Sequence, residues 1–167
     1  MPLTLEKWDE SGFAILERCN TPEMTVYLGG PESPEKLADR HRRYLNFADT
    51  GRDAWPQRVL LDGVPVGSVG YWDDEDAFEM GWAVLPEYQG RGLATASVEL
   101  ALAHAAANGL RDSVTANPGV ANLGSNAVAR NAGFTLLGPH EIEYPVGTLM
   151  LANLWRYDLA QREGGTD

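Results

Sequence analysis

Cysteine is nearly absent: of 167 residues only Cys19 carries a thiol, so no disulfide can close within the chain and no cysteine-histidine cluster of zinc-site spacing exists. Basic residues are also scarce, with 13 Lys and Arg against 24 Asp and Glu and a formal charge of −11. A surface of that sign argues against a nucleic-acid groove, which needs lysine and arginine to release phosphate counterions. It suits cationic ligands such as amines, and it also keeps a chain soluble. No apolar run reaches the roughly 20 residues of a membrane span. Met1 to Phe13, with Glu6, Lys7, Asp9 and Glu10, lacks an apolar signal core. With the lone thiol, these absences set the expectation of a cytoplasmic protein.

What is present suffices for a core, since hydrophobic residues make up 44% of the chain and neither repeat nor low-complexity linker interrupts it. A single domain over residues 1–167 is expected. Phe13 to Arg18 reads as a first strand, and Thr21-Pro22-Glu23 as the start of a short helix broken at Gly29-Gly30-Pro31. Ser33-Pro34-Glu35 repeats that start signal for a helix running to Phe47 that carries Arg40, His41, Arg42 and Arg43. Arg58 to Leu61 and Val64 to Tyr71 read as strands joined at Asp62-Gly63, a hairpin signal, with Ala77 to Val84 the next antiparallel strand. The run Asp73 to Asp76 between them reads as a solvated turn, without the spaced ligands of a calcium loop.

A helix follows from Gly92 to Asn108, with Leu93, Ala96, Leu100 and Ala103 at three- and four-residue steps and Gly109 as its stop. Then come a strand at Ser113 to Ala116, a turn at Asn117-Pro118-Gly119, a helix from Asn122 to Ala132, and strands near Phe134 to Leu137 and Leu149 to Tyr157. The tail after Asp158 shows no pattern and reads as frayed. This order predicts a mixed α/β sheet in which the strands on either side of the Gly92 helix are parallel neighbours.

The turn before that helix, Gln89-Gly90-Arg91-Gly92-Leu93-Ala94, is glycine-rich. Glycines let backbone approach an anion, the N-terminus of the helix favours negative charge, and Arg91 adds a cation. Nucleotide, phosphate and purely structural readings all remain open on this turn alone. It lacks the lysine and hydroxyl residue of a P-loop, and it arrives after hairpin-linked strands rather than in the opening parallel unit of a dinucleotide fold.

A second motif, Asn122-Leu123-Gly124-Ser125-Asn126-Ala127-Val128-Ala129-Arg130-Asn131-Ala132-Gly133-Phe134, lies beyond it. With both motifs, Glu79-Met80-Gly81-Trp82 and Glu143-Tyr144-Pro145-Val146-Gly147, the chain resembles the GNAT superfamily of acetyl-CoA-dependent N-acyltransferases, and within it the branch of the RimJ and RimL ribosomal-protein N-terminal acetyltransferases. The resemblance implies a mostly antiparallel, splayed sheet of about seven strands flanked by about four helices. It implies that acetyl-CoA is the donor and that no metal takes part. The pantetheine arm would enter where the strand at Phe78 to Val84 parts from that at Ser113 to Asn117. There Trp82, Ala83, Val84 and Leu85 would flank it, with backbone groups pairing like an added strand. Gln89, Gly90, Arg91, Gly92, Leu93 and Ala94 would hold the pyrophosphate, and Asn122 and Ser125 would contact pantetheine and the thiol.

The implied reaction is direct attack of a neutral primary amine, on a small molecule or a protein N-terminus, through a tetrahedral intermediate. Two glutamates compete as general base, Glu143 at the place of the RimL-type glutamate and Glu79 on the strand beside the donor; Glu141 is a weaker third. Ser125 is the candidate donor to the leaving thiolate, because the tyrosine of other GNAT branches is replaced by Ala129. Trp8, Tyr44, Trp55 and Trp72 are candidate acceptor walls. A cationic acceptor and a homodimer are further expectations. The alternative is a catalytically idle acyl-CoA-binding sensor or assembly module.

Overall fold

The computed structural model describes residues 2–160. Seven strands form one sheet in the order β1-β2-β3-β4-β5-β7-β6, with β1 Leu3–Lys7, β2 Ala54–Leu61, β3 Val64–Asp74, β4 Ala77–Val84, β5 Ser113–Ala116, β6 Thr135–Glu143 and β7 Leu149–Asp158. Four helices accompany it: α1 Gly12–Cys19, α2 Pro34–Thr50, α3 Leu93–Asn108 and α4 Leu123–Asn131. The succession of strand and helix types is the one expected, and β4 and β5 are the parallel neighbours.

Two early elements differ from expectation. Phe13 to Arg18 is not a strand but lies in α1, because Gly12, Ile15 and Leu16 fall on one buried helical stripe. A short apolar run fits either period, and its packing decides. The first strand is instead β1, whose Leu3 and Leu5 turn inward while Thr4 and Glu6 turn out. Nor does a helix follow Thr21. Its residues form successive turns, with Thr25 N–H bonded to Thr21 O at 3.0 Å and Gly30 N–H returning to Thr25 O at 3.0 Å.

The later elements begin and end where local chemistry directs. Ser33 accepts the N–H of Lys36 at 3.3 Å to start α2, and Gly51 ends it with φ 65°. Asp62 and Gly63 both take positive φ in the β2–β3 turn, as a two-residue hairpin requires. The α3 helix stands where expected, but its inward stripe is Ser97, Val98, Ala101, Leu102 and Ala105, while Leu100 is exposed. In an alanine-rich helix nearly any stripe looks apolar, so the sheet chooses the face. β6 runs to Glu143, well past the expected Leu137. Leu137 is the extra residue of a bulge against β7, and Pro139 is tolerated because β6 is an edge strand with no partner to receive its missing N–H.

The main core joins Val59, Val66, Val69, Tyr71, Phe78, Met80 and Val114 of the sheet to Val98 and Leu102 of α3, Ala129 of α4, and Trp155. A smaller cluster of Trp8, Ile15, Leu16 and Leu37 sits under α1 and α2. Phe78 and Met80 belong to the first, so alternation along β4 turns Glu79 and Gly81 to the opposite face, toward α1 and α2. Leu159 is buried and its N–H bonds Asp112 O at 2.9 Å, which ties down the start of the tail; residues 161–167 of that tail lie outside the described residues.

Gly67 sets how closely β3 approaches the end of β4, since a Cβ there would fall 2.2 Å from Ala83 O. Gly67→Ala is therefore expected to lower stability by about 1–3 kcal/mol in urea denaturation. An unchanged midpoint would show that the two strands can separate at no cost.

Candidate active site

β4 and β5 pair only through Phe78 with Val114 and Glu79 with Thr115. Beyond Glu79 they part, and β5 continues against β7, Ala116 opposite Trp155. Met80 to Val84 thus keep no strand partner on their β5 side. A cleft of about 890 Å³ opens at the parting and runs from the glycine turn to α1 and α2.

At one end stands the N-terminus of α3. Gly90 and Gly92 have φ 78° and 76°, the left-handed region that glycine favours, and no atom lies within 4 Å of where either Cβ would be. Ala96 N–H is bonded to Gly92 O at 3.1 Å, and Gly92 offers no side chain to cap the helix. The preceding N–H groups of Leu93, Ala94 and Thr95 therefore head the helix where it lines the cleft, an arrangement that receives an anion. This open backbone cradle fits a pyrophosphate.

Not every residue expected at this end reaches the cleft. Gln89 does line it, with its amide donating to Val84 O at 2.9 Å and so tying the turn to β4. Leu85 is fully buried, and its N–H is bonded to Val66 O at 2.8 Å. Arg91 is exposed, with its guanidinium 5.4 Å from the Tyr88 ring centre, and it does not line the cleft. Trp82, Ala83 and Val84 do. The Trp82 indole N–H is buried without a protein partner, which leaves a donor unsatisfied beside the parting.

The opposite wall is the start of α4. Asn122 caps the helix by accepting Ser125 N–H at 3.1 Å, and both residues line the cleft. Their position is set by Asn126, one of the few buried polar residues. Its amide NH2 donates to Gly119 O at 3.0 Å and Asn122 O at 2.7 Å, while its carbonyl oxygen accepts from Asn153 at 2.9 Å and from the Trp155 indole at 2.8 Å. All four hydrogen-bonding positions of the amide are used.

Glu79 lies at the vertex of the parting. Burial pushes its carboxyl up to about 7, the nearby Asp74 carboxylate adds to the rise, and a hydrogen bond from Asn117 acts against both. That bond runs from the Asn117 NH2 to Glu79 Oε1 at 2.9 Å, and Asn117 Oδ1 lies 2.7 Å from His140 Nε2. Glu143 is placed elsewhere. It ends β6, is exposed, and accepts Gly147 N–H at 3.0 Å across the β6–β7 turn. Its neighbours Ile142 and Tyr144 line the cleft, and Glu143 and Glu141 do not.

At the α1 and α2 end, Trp8, Tyr44 and Trp72 line the cleft and Trp55 does not, being stacked on Tyr71 at 5.0 Å. Arg40 also lines it, with its charge met by Glu32 through two bonds of 2.8 Å. Arg42 and Arg43 face solvent against Asp39, and His41 accepts the Trp8 indole N–H at 3.0 Å. Of the acidic run, Asp73 and Asp74 end β3 and only Glu75 and Asp76 form the turn, with Arg111 gripping Asp73 through bonds of 2.7 and 3.0 Å. Sequence reasoning singles out none of Asn117, Asn126 and His140 as site residues. Asn117 reads as a turn residue before proline, Asn126 hides among the helix residues of its motif, and His140 falls beyond the expected end of β6.

The chain resembles several solved structures throughout its length. One is the acetyl transferase that modifies the N-terminal serine of the 50S ribosomal subunit protein L7/L12 from Salmonella typhimurium, with TM-score 0.80, 23% identity, and coverage of 93% of this chain and 94% of that one. RimL, the ribosomal L7/L12 alpha-N-protein acetyltransferase in complex with coenzyme A, gives TM-score 0.78 at 22% identity, with 93% of each chain covered. Aminoglycoside acetyltransferase AAC(6')-Ib in complex with coenzyme A gives 0.79 at 18%, covering 99% of this chain and 100% of that one. By sequence search, no curated protein matches. The family profile described as the acetyltransferase (GNAT) domain matches residues 2–135. Carrying that profile over most of its length, the chain belongs to the GNAT acetyltransferase family and is an acetyl-CoA-dependent N-acyltransferase.

Proposed function

We propose that the protein moves an acetyl group from acetyl-CoA to a primary amine by direct attack, with Glu79 as general base and Ser125 as hydrogen-bond donor to the leaving thiolate. The observation that carries this reading is Glu79 itself, a carboxyl held at about 7 by burial where the two central strands part. Attack needs a neutral amine. At pH 7 that costs about 1 kcal/mol for an α-amino group of pKa about 8, and about 5 kcal/mol for a lysine-like amine of pKa about 10.4. A carboxylate with an ordinary pKa would be too weak an acceptor by several units, whereas one at about 7 nearly matches the α-amine. The match favours an acceptor whose amine is only moderately basic, either a protein N-terminus or a small amine of that kind.

The donor would lie along the unpartnered edge of β4, with its pyrophosphate over the N–H groups that open α3. Asn122 and Ser125 would flank the pantetheine arm and the thiol. A hydroxyl suffices at Ser125, because a thiolate leaving group needs a hydrogen bond more than a full proton at neutral pH. The chain's charge of −11, with Glu23 and Glu79 in the cleft, supports a cationic acceptor drawn in before it is deprotonated.

Thiol release from acetyl-CoA with a panel of amines tests the reading. Turnover is expected, and saturable binding without thiol release for any amine would leave an acyl-CoA sensor in its place. Glu79→Gln is expected to lower kcat by about 100-fold or more. It should also abolish the wild-type rise in kcat through pH about 7, the value to which burial lifts Glu79. Glu143→Gln should stay within about twofold of wild type, because its carboxylate serves the β6–β7 turn. A loss of rate in Glu143→Gln equal to that in Glu79→Gln would move the base to β6.

Ser125→Ala is expected to cost about tenfold in kcat with little change in acetyl-CoA affinity. Stability carries a separate signature of Glu79. Its folded value lies above the unfolded one, so the stabilisation it lends when protonated is complete below about 4.5 and is lost as pH rises through about 7. Urea midpoints across that window should fall in wild type by more than in Glu79→Gln.

A further inference from the structure

Asn117 and His140 have no part in the reaction as set out above, yet they join Glu79 in a chain that crosses three strands. Glu79 is on β4, Asn117 follows β5, and His140 is on β6 opposite Ala152 of β7. A carboxamide has two unlike ends, an NH2 that donates and an oxygen that accepts, and here one end meets Glu79 and the other His140. Glu79, when ionised, offers only acceptors and must meet the NH2; the carbonyl oxygen is then left toward His140, which must present Nε2–H to it. We propose that His140 is a positioning residue that acts through Asn117, holding the Asn117 amide with its NH2 toward Glu79 and so favouring the ionised, base-competent form of the carboxyl. The inference rests on Glu79 being the general base.

The direction follows from the donor sequence. The NH2 of Asn117 bonds a charged carboxylate more strongly than a neutral carboxyl, and while His140 keeps its proton on Nε2 an amide turned over to accept from protonated Glu79 would set its NH2 against that Nε2–H. That conflict favours the charged form, in opposition to burial and to the Asp74 carboxylate. The other titratable and charged groups that share the cleft are Glu23 in the turn segment, Arg40 of α2 with its partner Glu32, Cys19 of α1, and Tyr27, Tyr44, Tyr71, Tyr88 and Tyr144. The parts of α3 and α4 that line it are Leu93, Ala94, Thr95, Gly124, Ser125 and Val128, none of them charged. No other described side chain is hydrogen-bonded to the Glu79 carboxylate.

The test is a carbon-13 NMR titration of the Glu79 carboxyl in the ligand-free protein, run beside the pH profile of acetylation. His140→Phe frees the amide and should raise the Glu79 midpoint by about one pH unit, as should Asn117→Leu. Combining them should add nothing further, because both act through one bond. His140→Gln, which keeps a donor for the carbonyl oxygen, should return the midpoint close to wild type. A midpoint unmoved in His140→Phe, or shifts that add in the double variant, would overturn the inference even if Glu79→Gln is inactive. Shifts as expected with an unchanged acetylation profile would uphold the chain of contacts and overturn Glu79 as the base.

Discussion

Everything at the site depends on an interruption of hydrogen bonding in the middle of a sheet. Two parallel strands pair over two residues each and then separate, which leaves one edge of β4 without the partner that buried backbone requires. Such a gap would close if either strand were free to drift. It is held from three sides. Arg111, just before β5, grips Asp73 at the end of β3 and fixes the closed end. Gln89 and Leu85 anchor the far end of β4 to its own turn and to β3. Asn126 binds the segment after β5 to β7 through Gly119, Asn153 and Trp155.

The interruption also decides where the chemistry can sit. Glu79 is the last residue of β4 paired with β5, so it is enclosed by ordered backbone on one side and faces the cleft on the other. One residue along, Met80 faces the core under α3. Enclosure makes the ionisation of Glu79 costly, and the cleft leaves its carboxyl open to a bound molecule. One position thus combines the desolvation that raises proton affinity with access to a substrate.

Much of this was legible in the sequence where chemistry is local. Ser33-Pro34, Asp62-Gly63 and Gly109 fix boundaries through requirements of their own backbone, and β4 and β5 were found at their true limits. Phe13 to Arg18 reads as a strand in the sequence because four or five apolar residues satisfy a strand and a helix alike, and only contact with Trp8 and Leu37 separates the two. The inward stripe of α3 was invisible for a related reason, since alanine on every side gives the sheet nothing to prefer until Val98 and Leu102 meet it. At the site, the glycine turn and Glu79 announced themselves by type and place. Asn117, Asn126 and His140 did not, because the partners that reveal the role of each include ones 23 to 38 residues away in sequence. The two competing glutamates differ in the same way, by which side of a strand each occupies, which follows from the register of β4 with β3 and β5 for Glu79 and of β6 with β7 for Glu143.

The two ends of the cleft are made of different materials. At the α3 end the available groups are main-chain N–H groups and bare glycines, which are much the same whatever residues surround them. At the α1 and α2 end they are side chains, and Thr25, Tyr27, Leu28 and Gly30 there are carried on turns. Mutation can rewrite the second end residue by residue and barely touches the first. Substitution can therefore change what the second end receives while the first keeps its anion-receiving backbone.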